Sequence, residues 1–487
     1  MKVLKDILKS VEIIQIIGSD TLEINAISFS SRDLSKKDVF VAQRGTIVDG
    51  HKYIDDAINR GAVVVVCEVV PELLQADVTY VQVGDAATAL AVMAANYYGN
   101  PSEELQLIGV TGTNGKTTIA TLLFSLYKDA GYKVGLLSTI KIMVHDTAYE
   151  TSHTTPDSLV INKYLRSMVE QGCDYCFMEV SSHGIHQKRT VGLHFKGGVF
   201  TNLTHDHLDY HNTFKEYRDI KKIFFDDLPK TAFSLVNADD KNGLFMLQNS
   251  KAKKHTYALK TMADFKGKIL ESSFSGMLLV MNQQELWSKL IGQFNGYNLL
   301  AIFGVTQLLG MEALEALKLI SNLESVSGRF EHMVSATGIT VIVDYAHTPD
   351  ALKNVLQTIE GIRTRRENVL TVVGCGGDRD KSKRPKMGAI AAQMSDQAIF
   401  TSDNPRTENP AVIIEEIEAG VEEQYLNKTL VIADRKQAIK AACKMAVSGD
   451  IILIAGKGHE NYQDIKGVKS HFDDYEVVTE LLKQLGK

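Results

Sequence analysis

The sequence lacks a disulfide framework, an apolar segment long enough to span a membrane, and an excess of basic charge. Its five cysteines are scattered along 487 residues, which is the usage expected in a reducing compartment. No uninterrupted apolar run approaches membrane-spanning length, and the first residues contain no signal-peptide core. The formal net charge of -6 argues against nonspecific nucleic-acid binding. We therefore expect a cytoplasmic protein that binds neither membranes nor nucleic acid.

Internal repeats and low-complexity tracts are also missing, so the length has to be divided among ordinary domains. A chain of 487 residues is too long for one core, and typical domain sizes suggest about three domains. A break at 99–102, which contains glycine and proline, separates a first region of short strands and helices from a region where strands and helices alternate. A second join lies at 328–331. The sequence predicts an α/β fold with domains at 1–98, 99–330 and 331–487.

The segment Gly-Thr-Asn-Gly-Lys-Thr-Thr at 112–118 has the features of a phosphate-binding loop. It lies between a short apolar run and an amphipathic helical pattern, where a strand would turn into a helix. Gly112 and Gly115 allow backbone N–H groups to converge on an anion at the positive end of the helix dipole. Lys116 would reach the outer phosphates, and the Thr117 hydroxyl would bind magnesium. A glycine-rich turn without a ligand would not explain the Lys-Thr-Thr sequence, so we predict nucleotide binding.

Two polar segments follow later strands of the same region. Glu179 lies near the end of the apolar run at 175–180, where a carboxylate is costly unless it is paired or binds a metal ion. We predict that Glu179 completes a magnesium site with Thr117, the alternative being a cap on the next helix. The segment at 202–211 contains three histidines and two aspartates. Because no cysteine or spaced histidine pair completes a tetrahedral zinc set, magnesium-assisted phosphoryl chemistry fits this segment better.

In the third region, strands predicted at 340–344, 369–373, 398–402 and 451–455 each end in a polar loop. Open α/β sheets bind ligands at the carboxyl ends of their strands, so these loops are expected to form one site. The second strand leads through a glycine turn to the basic run at 381–386. A run of charge is usually a solvated face, but the position after a strand and a turn favours an anion site.

A polar cluster in the first region has two interpretations that the residues alone leave open. Ser28, Ser30, Ser31 and Arg32 fall in a predicted loop. Such a loop suits a phosphorylated or uridylated ligand, and it is equally suited to a solvated turn.

Taken together, these motifs resemble those of the Mur ligases. They occur in the order of that family and with similar spacing along the whole chain, so the set is far more specific than any single motif. The matching segments are 112–118, 179–184, 206–211, 328–331, 344–349, 374–384, 403–406 and 456–460.

The resemblance implies a central P-loop ATPase-like domain with a parallel sheet, a Rossmann-like C-terminal α/β domain and a smaller N-terminal α/β domain that holds UDP. Within the family, the chain looks most like members that add meso-diaminopimelate to UDP-N-acetylmuramoyl-L-alanyl-D-glutamate, a UDP-MurNAc-dipeptide, in peptidoglycan precursor synthesis. This implies an ADP-forming ligase that uses ATP and Mg2+, forms an acyl phosphate and acts as a monomer. A lysine-adding relative, a folylpolyglutamate synthetase and a P-loop switch ATPase are the alternatives.

The resemblance also implies roles for individual residues near the nucleotide. The catalytic set is Lys116, Glu179, His207 and Lys221, of which Lys221 matches a lysine that is carbamylated (N6-carboxylysine) in the family. The magnesium ligands are Thr117, Glu179 and His207. The ATP-binding positions are Gly112, Thr113, Asn114, Gly115, Lys116, Thr117, Thr118, Asn295, Arg329 and Asp344.

Two further sets match the other substrates. The positions that hold the UDP-muramoyl peptide are Ser28, Ser30, Thr154, Thr155, Ser181, Gln187 and Arg189, although family members usually show Asp-Ser-Arg where this chain has Ser-Ser-Arg at 30–32. The positions that bind diaminopimelate are Arg379, Asp403, Asn404, Pro405, Arg406, Gly456 and Glu460. The planar guanidinium of Arg406 suits the distal carboxylate, which lysine lacks, and Glu460 suits the distal ammonium.

Overall fold

The computed structural model describes residues 2–45, 48–151, 153–204, 206, 210–211, 213–364 and 366–487. In these residues the chain folds into three α/β domains, each built around its own large sheet. This architecture confirms the fold class predicted from the sequence. Within the same ranges, no helix combines the length and the apolar character needed to cross a membrane.

The N-terminal domain packs helices on a mostly parallel sheet. Its strands are β1 (Lys2–Val3), β2 (Ile13–Ile17), β3 (Glu23–Ile24), β4 (Ile27–Ser28), β5 (Asp38–Val41), β6 (Ala62–Cys67) and β7 (Thr79–Val83), and its helices are α1 (Leu4–Ile7), α2 (Ile54–Asn59) and α3 (Ala86–Tyr97). The sheet order is β2-β7-β6-β5-β4, with β2 antiparallel to β7. The valine-rich β6 is buried, as expected for an apolar run inside a parallel sheet.

The central domain contains the phosphate-loop sequence between a strand and a helix. Its strands are β8 (Gln106–Thr111), β9 (Val134–Leu137), β10 (Ile142–Val144), β11 (Thr147–Tyr149), β12 (Tyr175–Glu179), β13 (Gly197–Phe200), β14 (Phe233–Asn237), β15 (Lys253–Ala258), β16 (Phe265–Ser273), β17 (Gly276–Met281) and β18 (Gln284–Ser288). Its helices are α4 (Lys116–Asp129), α5 (Ser158–Glu170), α6 (Ser182–His186), α7 (Phe214–Asp226), α8 (Gly243–Met246), α9 (Gln293–Leu308) and α10 (Ala313–Asn322).

The central sheet has the order β11-β10-β9-β12-β8-β13-β14-β15-β16-β17-β18. Neighbours from β9 to β16 are parallel, and antiparallel strands extend the sheet at both ends. Helices α4, α9 and α10 bury one apolar cluster with this sheet, while α5 and α7 contribute to another. The parallel strands therefore have helices on both faces of the sheet, and the carboxyl ends of the strands remain accessible to a ligand.

The third domain has a mostly parallel sheet of the order β19-β20-β24-β21-β22-β23, in which β19 is antiparallel to β20. Its strands are β19 (Glu331–Val334), β20 (Thr340–Asp344), β21 (Val369–Val373), β22 (Gln397–Phe400), β23 (Thr429–Val431), β24 (Ile451–Ala455), β25 (Tyr462–Ile465) and β26 (Val468–His471). Its helices are α11 (Pro349–Ile362), α12 (Lys383–Met394), α13 (Pro410–Glu418), α14 (Arg435–Met445) and α15 (Asp474–Gln484). Strands β25 and β26 form a separate hairpin.

Strand register brings the predicted motifs together at the edges of these sheets. Glu179, the last residue of β12, pairs with Val110 of β8, so it lies beside the start of the phosphate loop. In the third sheet, Ala455 of β24 pairs with both Asp344 of β20 and Val373 of β21. The polar loops after these strands consequently lie side by side, as the sequence predicted.

Candidate active site

The loop between β8 and α4 has the geometry of an anion-binding loop. Gly115, immediately before the helix, has a φ of 90°, a left-handed conformation that glycine adopts readily. The first N–H groups of a helix have no intrahelical partner and carry partial positive charge. Lys116 Nζ donates to the carbonyl oxygens of Gly112 at 3.0 Å and Thr113 at 2.7 Å. Desolvation lowers the pKa of Lys116, while the charges of Glu179 and Asp206 raise it.

A cavity of about 770 Å³ lies over this loop, between the central and third domains. It brings together several residues that the sequence separates by more than 200 positions. The sequence-predicted residues along its wall are Thr113, Asn114, Gly115, Lys116, Thr117, Thr118, Thr154, Glu179, Arg329 and Asp344. Asp206, Tyr345 and His347 line it as well. One compartment therefore contains both the phosphate loop and residues of the third domain.

Thr117 and Glu179 form a pair of oxygen donors at the base of this cavity. Thr117 Oγ1 donates to Glu179 Oε2 at 2.9 Å, and the backbone N–H of Thr139 donates to Glu179 Oε1 at 2.7 Å. Both side chains are buried. A hydroxyl and a carboxylate are donors of the kind that Mg2+ prefers, so this pair fits a magnesium site. The third predicted ligand, His207, lies outside the described residues.

Arg329 approaches the same pair from the join to the third domain. Its NH2 group donates to Thr117 Oγ1 at 3.2 Å, and its guanidinium lies 4.5 Å from the centre of the Tyr345 ring. Asp344 Oδ2 accepts from the backbone N–H of Phe330 at 2.6 Å. Desolvation raises the pKa of Asp344 to about 6, although Arg329 and backbone hydrogen bonds act to lower it. Both residues line the cavity, and the hydrogen bond from Arg329 connects the join with the phosphate loop.

Asn295 lies behind the cavity and is not one of the described residues along its wall. It is 3% exposed, and its Nδ2 donates to the carbonyl of Ile291 at 2.9 Å. Asn298 Nδ2 donates to Asn295 Oδ1 at 3.1 Å, and Asn298 does line the cavity. Asn295 thus orients a neighbour that faces the cavity.

Lys221 lies beneath the phosphate loop. It belongs to α7, which begins after Thr213, whose side chain accepts from the backbone N–H of Glu216 at 3.1 Å. Lys221 is 1% exposed, and its Nζ donates to the carbonyl of Gly112 at 2.9 Å. Burial and the charge of Lys116 hold the pKa of Lys221 well below its ordinary value, while Asp206 acts in the opposite direction.

The residues predicted to hold the muramoyl peptide form a hydrogen-bonded group at the end of β12. Thr155 Oγ1 donates to the carbonyl of Glu179 at 2.8 Å and accepts from the Ser181 N–H at 2.9 Å. Arg189 donates to the carbonyl of Thr155 at 2.5 Å and to Gln187 Oε1 at 2.6 Å. Thr154 contacts Thr139, with 3.1 Å between the two hydroxyl oxygens, and the backbone N–H of Thr139 donates to Glu179. The group borders the cavity at Thr154 and Glu179.

Within the histidine-rich segment, Tyr210 and His211 contact residues of α6 and the residue that follows it, whereas Asp206 lines the cavity. His211 is fully buried, and its Nε2 lies 2.9 Å from the Ser182 hydroxyl. The Tyr210 hydroxyl lies 2.8 Å from His186 Nδ1 and accepts from Gln187 Nε2 at 3.1 Å. In the part of the chain that the structure describes, no group of three or more histidine, cysteine or acidic side chains is arranged to hold a metal ion.

Ser28 and Ser30 lie in the N-terminal domain, apart from the described lining of the cavity. The Ser28 hydroxyl donates to the carbonyl of Ser30 and accepts from its N–H, both at 3.0 Å. These bonds turn the chain after β4. The two serines are therefore close together in a local turn.

The residues predicted to bind the amino acid meet at the ends of β21, β22 and β24. Asn404 Nδ2 donates to Glu460 Oε2 at 2.7 Å. A side chain at Gly456 would meet Asp403 Oδ2 at 2.7 Å, so the loop after β24 approaches Asp403 closely. The backbone of Pro405 packs even more closely on Gly377, in the loop after β21, where an added side chain would overlap the Pro405 carbonyl oxygen. Three loops that are distant in sequence therefore form one acidic and amide-rich pocket.

Arg406 is fixed at three points beside this pocket. Its φ is 50°, its N–H donates to the Asp464 carbonyl at 3.0 Å, and its own carbonyl accepts from the Lys466 N–H at 2.7 Å. Its NH1 donates to the carbonyl of Gly377 at 2.7 Å. The β25–β26 hairpin thus determines where the guanidinium lies. Arg379 is exposed. It lies close to Arg406, as both arginines are within 4 Å of the position that a side chain at Gly376 would take.

The prediction of an anion site in the basic run at 381–386 is wrong for Arg384. Arg384 is 0% exposed and donates to Glu408 at 2.9 and 3.0 Å and to Glu416 at 2.6 Å. Lys381 also pairs with Glu408, and Lys383 donates to the carbonyl of His347 at 2.9 Å. The acidic partners come from a later loop and helix, so the run alone gave no sign of them.

Lys457 is a central residue of the amino-acid pocket that the sequence reasoning did not single out. It is 0% exposed and its Nζ lies within 4.0 Å of both Asp403 and Glu460. The signal available in the sequence was its place in Gly-Lys-Gly-His-Glu after a buried strand.

Comparison with known proteins gives matches in all three domains. Family models match at 23–98 (Mur ligase family, catalytic domain), 110–306 (Mur ligase middle domain) and 328–458 (Mur ligase, glutamate ligase domain). A UDP-N-acetylmuramoyl-L-alanyl-D-glutamate–2,6-diaminopimelate ligase from Bacteroides fragilis is 54% identical over 478 residues, which cover 98% of this chain and 99% of that protein.

Solved structures give the same result. The structure of a ligase of the same name has a TM-score of 0.71 and 30% sequence identity, and the match covers 100% of both chains. The MurF ligase of Thermotoga maritima, solved in complex with ADP, shares the fold with a TM-score of 0.62 and 18% identity, covering 94% of this chain and 97% of that one. The identity and full-length coverage establish that this chain belongs to the Mur ligase family.

Proposed function

We propose that the protein is an ATP-dependent ligase that joins meso-2,6-diaminopimelate to the D-glutamyl carboxylate of UDP-N-acetylmuramoyl-L-alanyl-D-glutamate. The observation that carries the proposal is the cavity between the phosphate loop and the third domain, together with the cluster of polar side chains at the strand ends of that domain. The reaction named for the relative from Bacteroides fragilis supports the same assignment. The ADP complex of the Thermotoga maritima ligase supports ATP as the nucleotide.

A carboxylate resists attack by an amine because its carbon is a poor electrophile and its oxygen a poor leaving group. Transfer of the γ-phosphoryl group of ATP to the carboxylate oxygen gives an acyl phosphate and ADP. The amine then attacks the acyl carbon, the carbon–oxygen bond to phosphate breaks, and the amine loses a proton as the amide forms. Lys116 and the N–H groups at the start of α4 would stabilise the transferring phosphoryl group, since fixed donors act where charge develops.

Thr117 and Glu179 would hold magnesium, with His207 as a further predicted ligand. Bound magnesium would offset the negative charge of the phosphoryl groups during the transfer. The guanidinium of Arg329 would add positive charge beside these phosphoryl groups, because its NH2 group lies 3.2 Å from Thr117 Oγ1. We assign Arg329 and Asp344 to ATP, together with the loop at 112–118 and the Asn295–Asn298 pair.

We also propose that Lys221 is carbamylated. A neutral amine can attack carbon dioxide to form a carbamate with release of one proton. The lowered pKa of Lys221 favours the neutral amine, and a second ammonium beside Lys116 is unfavourable. As a carbamate, Lys221 would place a negative charge beneath the phosphate loop.

The other two substrates would bind on either side of the phosphate loop. We assign the muramoyl peptide to Thr154, Thr155, Ser181, Gln187 and Arg189, and its UDP end to the turn of Ser28 and Ser30. We assign the amino acid to Arg379, Asp403, Asn404, Pro405, Arg406, Gly456 and Glu460. With this arrangement the amine and the acyl phosphate would meet in the cavity between the two domains, so domain closure is expected to accompany the reaction.

Incubation of the protein with UDP-muramoyl dipeptide, ATP, magnesium and either diaminopimelate or lysine tests the proposal. We expect mass spectrometry to detect the amide product with diaminopimelate, and we expect ADP release to require both the dipeptide and the amino acid. ADP release that is independent of these substrates would instead indicate a switch ATPase. Preferential use of lysine would overturn the assignment of the amino acid.

Arg406→Ala addresses the choice of amino acid directly. Loss of a bidentate guanidinium–carboxylate contact should raise KM for diaminopimelate by about 10- to 100-fold, because charged hydrogen bonds contribute about 1.5–3 kcal/mol. KM for ATP should change less than about twofold. Arg363→Ala is the matched control, since Arg363 pairs with Glu360 and with Asp396, which lies at the opposite end of β22 from the amino-acid pocket. Equal effects of Arg406→Ala on both substrates would contradict this role.

A further inference from the structure

Lys457 is a buried cation within the proposed amino-acid pocket. It lies in the loop after β24, is 0% exposed, and donates to the Tyr462 carbonyl. Its Nζ also donates to Asn404 Oδ1 at 3.2 Å and lies 3.9 Å from Asp403 Oδ1 and 3.6 Å from Glu460 Oε2. Burying an ammonium is costly unless carboxylates and hydrogen bonds compensate it. The position of Lys457 is therefore coupled to the two carboxylates of the pocket.

The two carboxylates need a nearby cation in turn. Asp403 and Glu460 come from different loops, and their side chains are 7% and 17% exposed. Burial and the Asp403 charge raise the pKa of Glu460, whereas Lys457, Arg406 and the hydrogen bond from Asn404 lower it. Removing Lys457 would thus favour protonation of Glu460.

Lys457 also determines which way the Asn404 amide points. Asn404 Oδ1 accepts from Lys457 Nζ and from the backbone N–H of Asp464, the latter at 2.9 Å. With the oxygen fixed by two donors, the amide nitrogen is directed at Glu460 Oε2, 2.7 Å away. The lysine consequently acts on Glu460 in two ways, by its charge and by the orientation of Asn404.

We propose that Lys457 is a positioning residue for the amino-acid substrate: it keeps Glu460 ionised and oriented to accept an ammonium group at the far end of that substrate. This inference rests on the proposed function, because it takes the pocket as the amino-acid site. Glu460 would contact the substrate, and Lys457 would act through Glu460 and Asn404.

Other groups around Glu460 would remain if Lys457 were replaced. The titratable and charged groups that influence it are Asp403, Arg406, Tyr345, Tyr462 and Arg435. Arg435 is held by a fully buried ion pair with Asp474, in which its Nε and NH2 donate at 2.8 and 2.7 Å. In the described part of the chain, Lys457 is the cation that lies within ion-pair distance of both pocket carboxylates.

The test compares Lys457→Met, Lys457→Arg and wild type. In Lys457→Met at pH 7 we expect KM for diaminopimelate to rise about 10-fold or more, because a buried carboxylate without its cation tends to bind a proton. KM for ATP should change less than about twofold. The rise in KM should shrink as the pH is raised above 7, because higher pH favours the ionised carboxylate of Glu460, and Lys457→Arg should recover most of the loss. Lys436→Met, at an exposed ion pair with Glu480, is the control and should match wild type.

A substrate analogue separates this role from general damage to the pocket. 2-Aminopimelate has both carboxylates but lacks the distal ammonium, so Lys457→Met should affect its KM far less than that of diaminopimelate. An equal rise for both amino acids, or a rise that does not depend on pH, would overturn the inference. Absence of diaminopimelate-dependent turnover in wild type would instead refute the proposed function. If Lys457→Met fails to fold, Lys457→Gln, which keeps a donor for the Tyr462 carbonyl, serves for the same comparisons.

Discussion

Lys221 and Lys222 are neighbours on α7, yet their ammonium groups lie in different surroundings. Lys221 Nζ donates to the carbonyl of Gly112 beneath the phosphate loop, at 2.9 Å. Lys222 Nζ donates to both carboxylate oxygens of Asp226, at 2.5 and 2.7 Å. One lysine therefore contributes to the site, while the other forms an ion pair one turn along its own helix. The pair provides a matched test of the proposed carbamate.

Lys221→Met should lower the ligation rate by about 100-fold or more, because removal of a charge at the site of phosphoryl transfer costs several kcal/mol. Lys222→Met should retain the wild-type rate, although the loss of a largely buried ion pair should cost some stability. Removal of bicarbonate and carbon dioxide from the buffer should lower the activity of wild type and of Lys222→Met together. Full activity of Lys221→Met would contradict a role in catalysis, and a bicarbonate-independent rate would contradict the carbamate.

Glu179→Gln tests the proposed magnesium site. Glutamine keeps an oxygen for the Thr139 N–H but removes the negative charge that faces Thr117. The magnesium concentration for half-maximal activity should therefore rise about 10-fold or more, since ligand charge sets the affinity for hard cations.

Asp450→Asn is the control for Glu179→Gln. Asp450 is also a buried carboxylate, and it accepts from the backbone N–H groups of Asn368 and Val447, at 2.9 and 2.8 Å. Its replacement should cost about 1–3 kcal/mol of stability and leave the magnesium requirement unchanged. If both variants shift the magnesium requirement equally, Glu179 does not act as a ligand.

The sequence predicted much of the fold because buried parallel strands are short apolar runs bounded by polar or glycine-rich segments. The strands at 340–344, 369–373 and 451–455 have the predicted ends, whereas the strand predicted at 398–402 is Gln397–Phe400 in the structure. In the N-terminal domain the short strand β4 ends at Ser28, since the Ser28 hydroxyl bonds to the backbone of Ser30 and turns the chain. Local side-chain bonds of this kind are hard to distinguish from strand alternation in a sequence.

The sequence predicted those parts of the candidate site that a local motif encodes. It did not predict the parts whose interacting residues are far apart in the sequence. The phosphate loop combines its glycines, lysine and threonine within seven residues, so its geometry follows from the sequence. Arg384 was predicted to be part of an anion site from the basic run alone. Its ion-pair partners Glu408 and Glu416 could not be foreseen, because they lie more than twenty residues away in the sequence. Lys457 was missed for the same reason, since Asp403 belongs to another strand end. Burial and pairing of charges depend on tertiary contacts that periodicity does not encode.

Gly467→Val tests whether the β25–β26 hairpin fixes Arg406. The two-residue turn of this hairpin has φ values of 54° at Lys466 and 80° at Gly467, and Lys466 N–H donates to the Arg406 carbonyl. A β-branched residue in this left-handed conformation costs about 1–3 kcal/mol. If about 1 kcal/mol of this strain displaces Arg406, KM for diaminopimelate should rise about fivefold. KM for ATP should not change.

Gly449→Val is the matched control for the hairpin variant. Gly449 has a φ of 93° and, like Gly467, has open space where a side chain would be added. It lies at the opposite end of β24 from the amino-acid pocket. The control should therefore lose similar stability without a change in either KM. A rise in KM for diaminopimelate in both variants would attribute the effect to general destabilisation of the domain.

His459 links the stability of the third domain to pH. Its ring lies 5.0 Å from that of Tyr345, and burial together with the charges of Arg329, His347 and Lys457 lowers its pKa to about 3. The unfolded chain therefore binds a proton at His459 below pH 6.5, whereas the folded chain stays neutral there until about pH 3. Stability consequently rises with pH across this window and is lost as pH falls below 6.5.

His459→Gln removes this titration, so the difference in unfolding free energy between pH 7.5 and pH 5 should shrink by about 2 kcal/mol. Some pH dependence of the unfolding free energy should remain, because burial and the charge of Lys383 likewise lower the pKa of His347 to about 4. Urea unfolding followed by circular dichroism at the two pH values measures the difference. His471→Gln is the control, since the side chain of His471 is 66% exposed and pairs with Glu476 at the surface. An unchanged pH dependence in His459→Gln would show that His459 does not remain neutral in the folded protein.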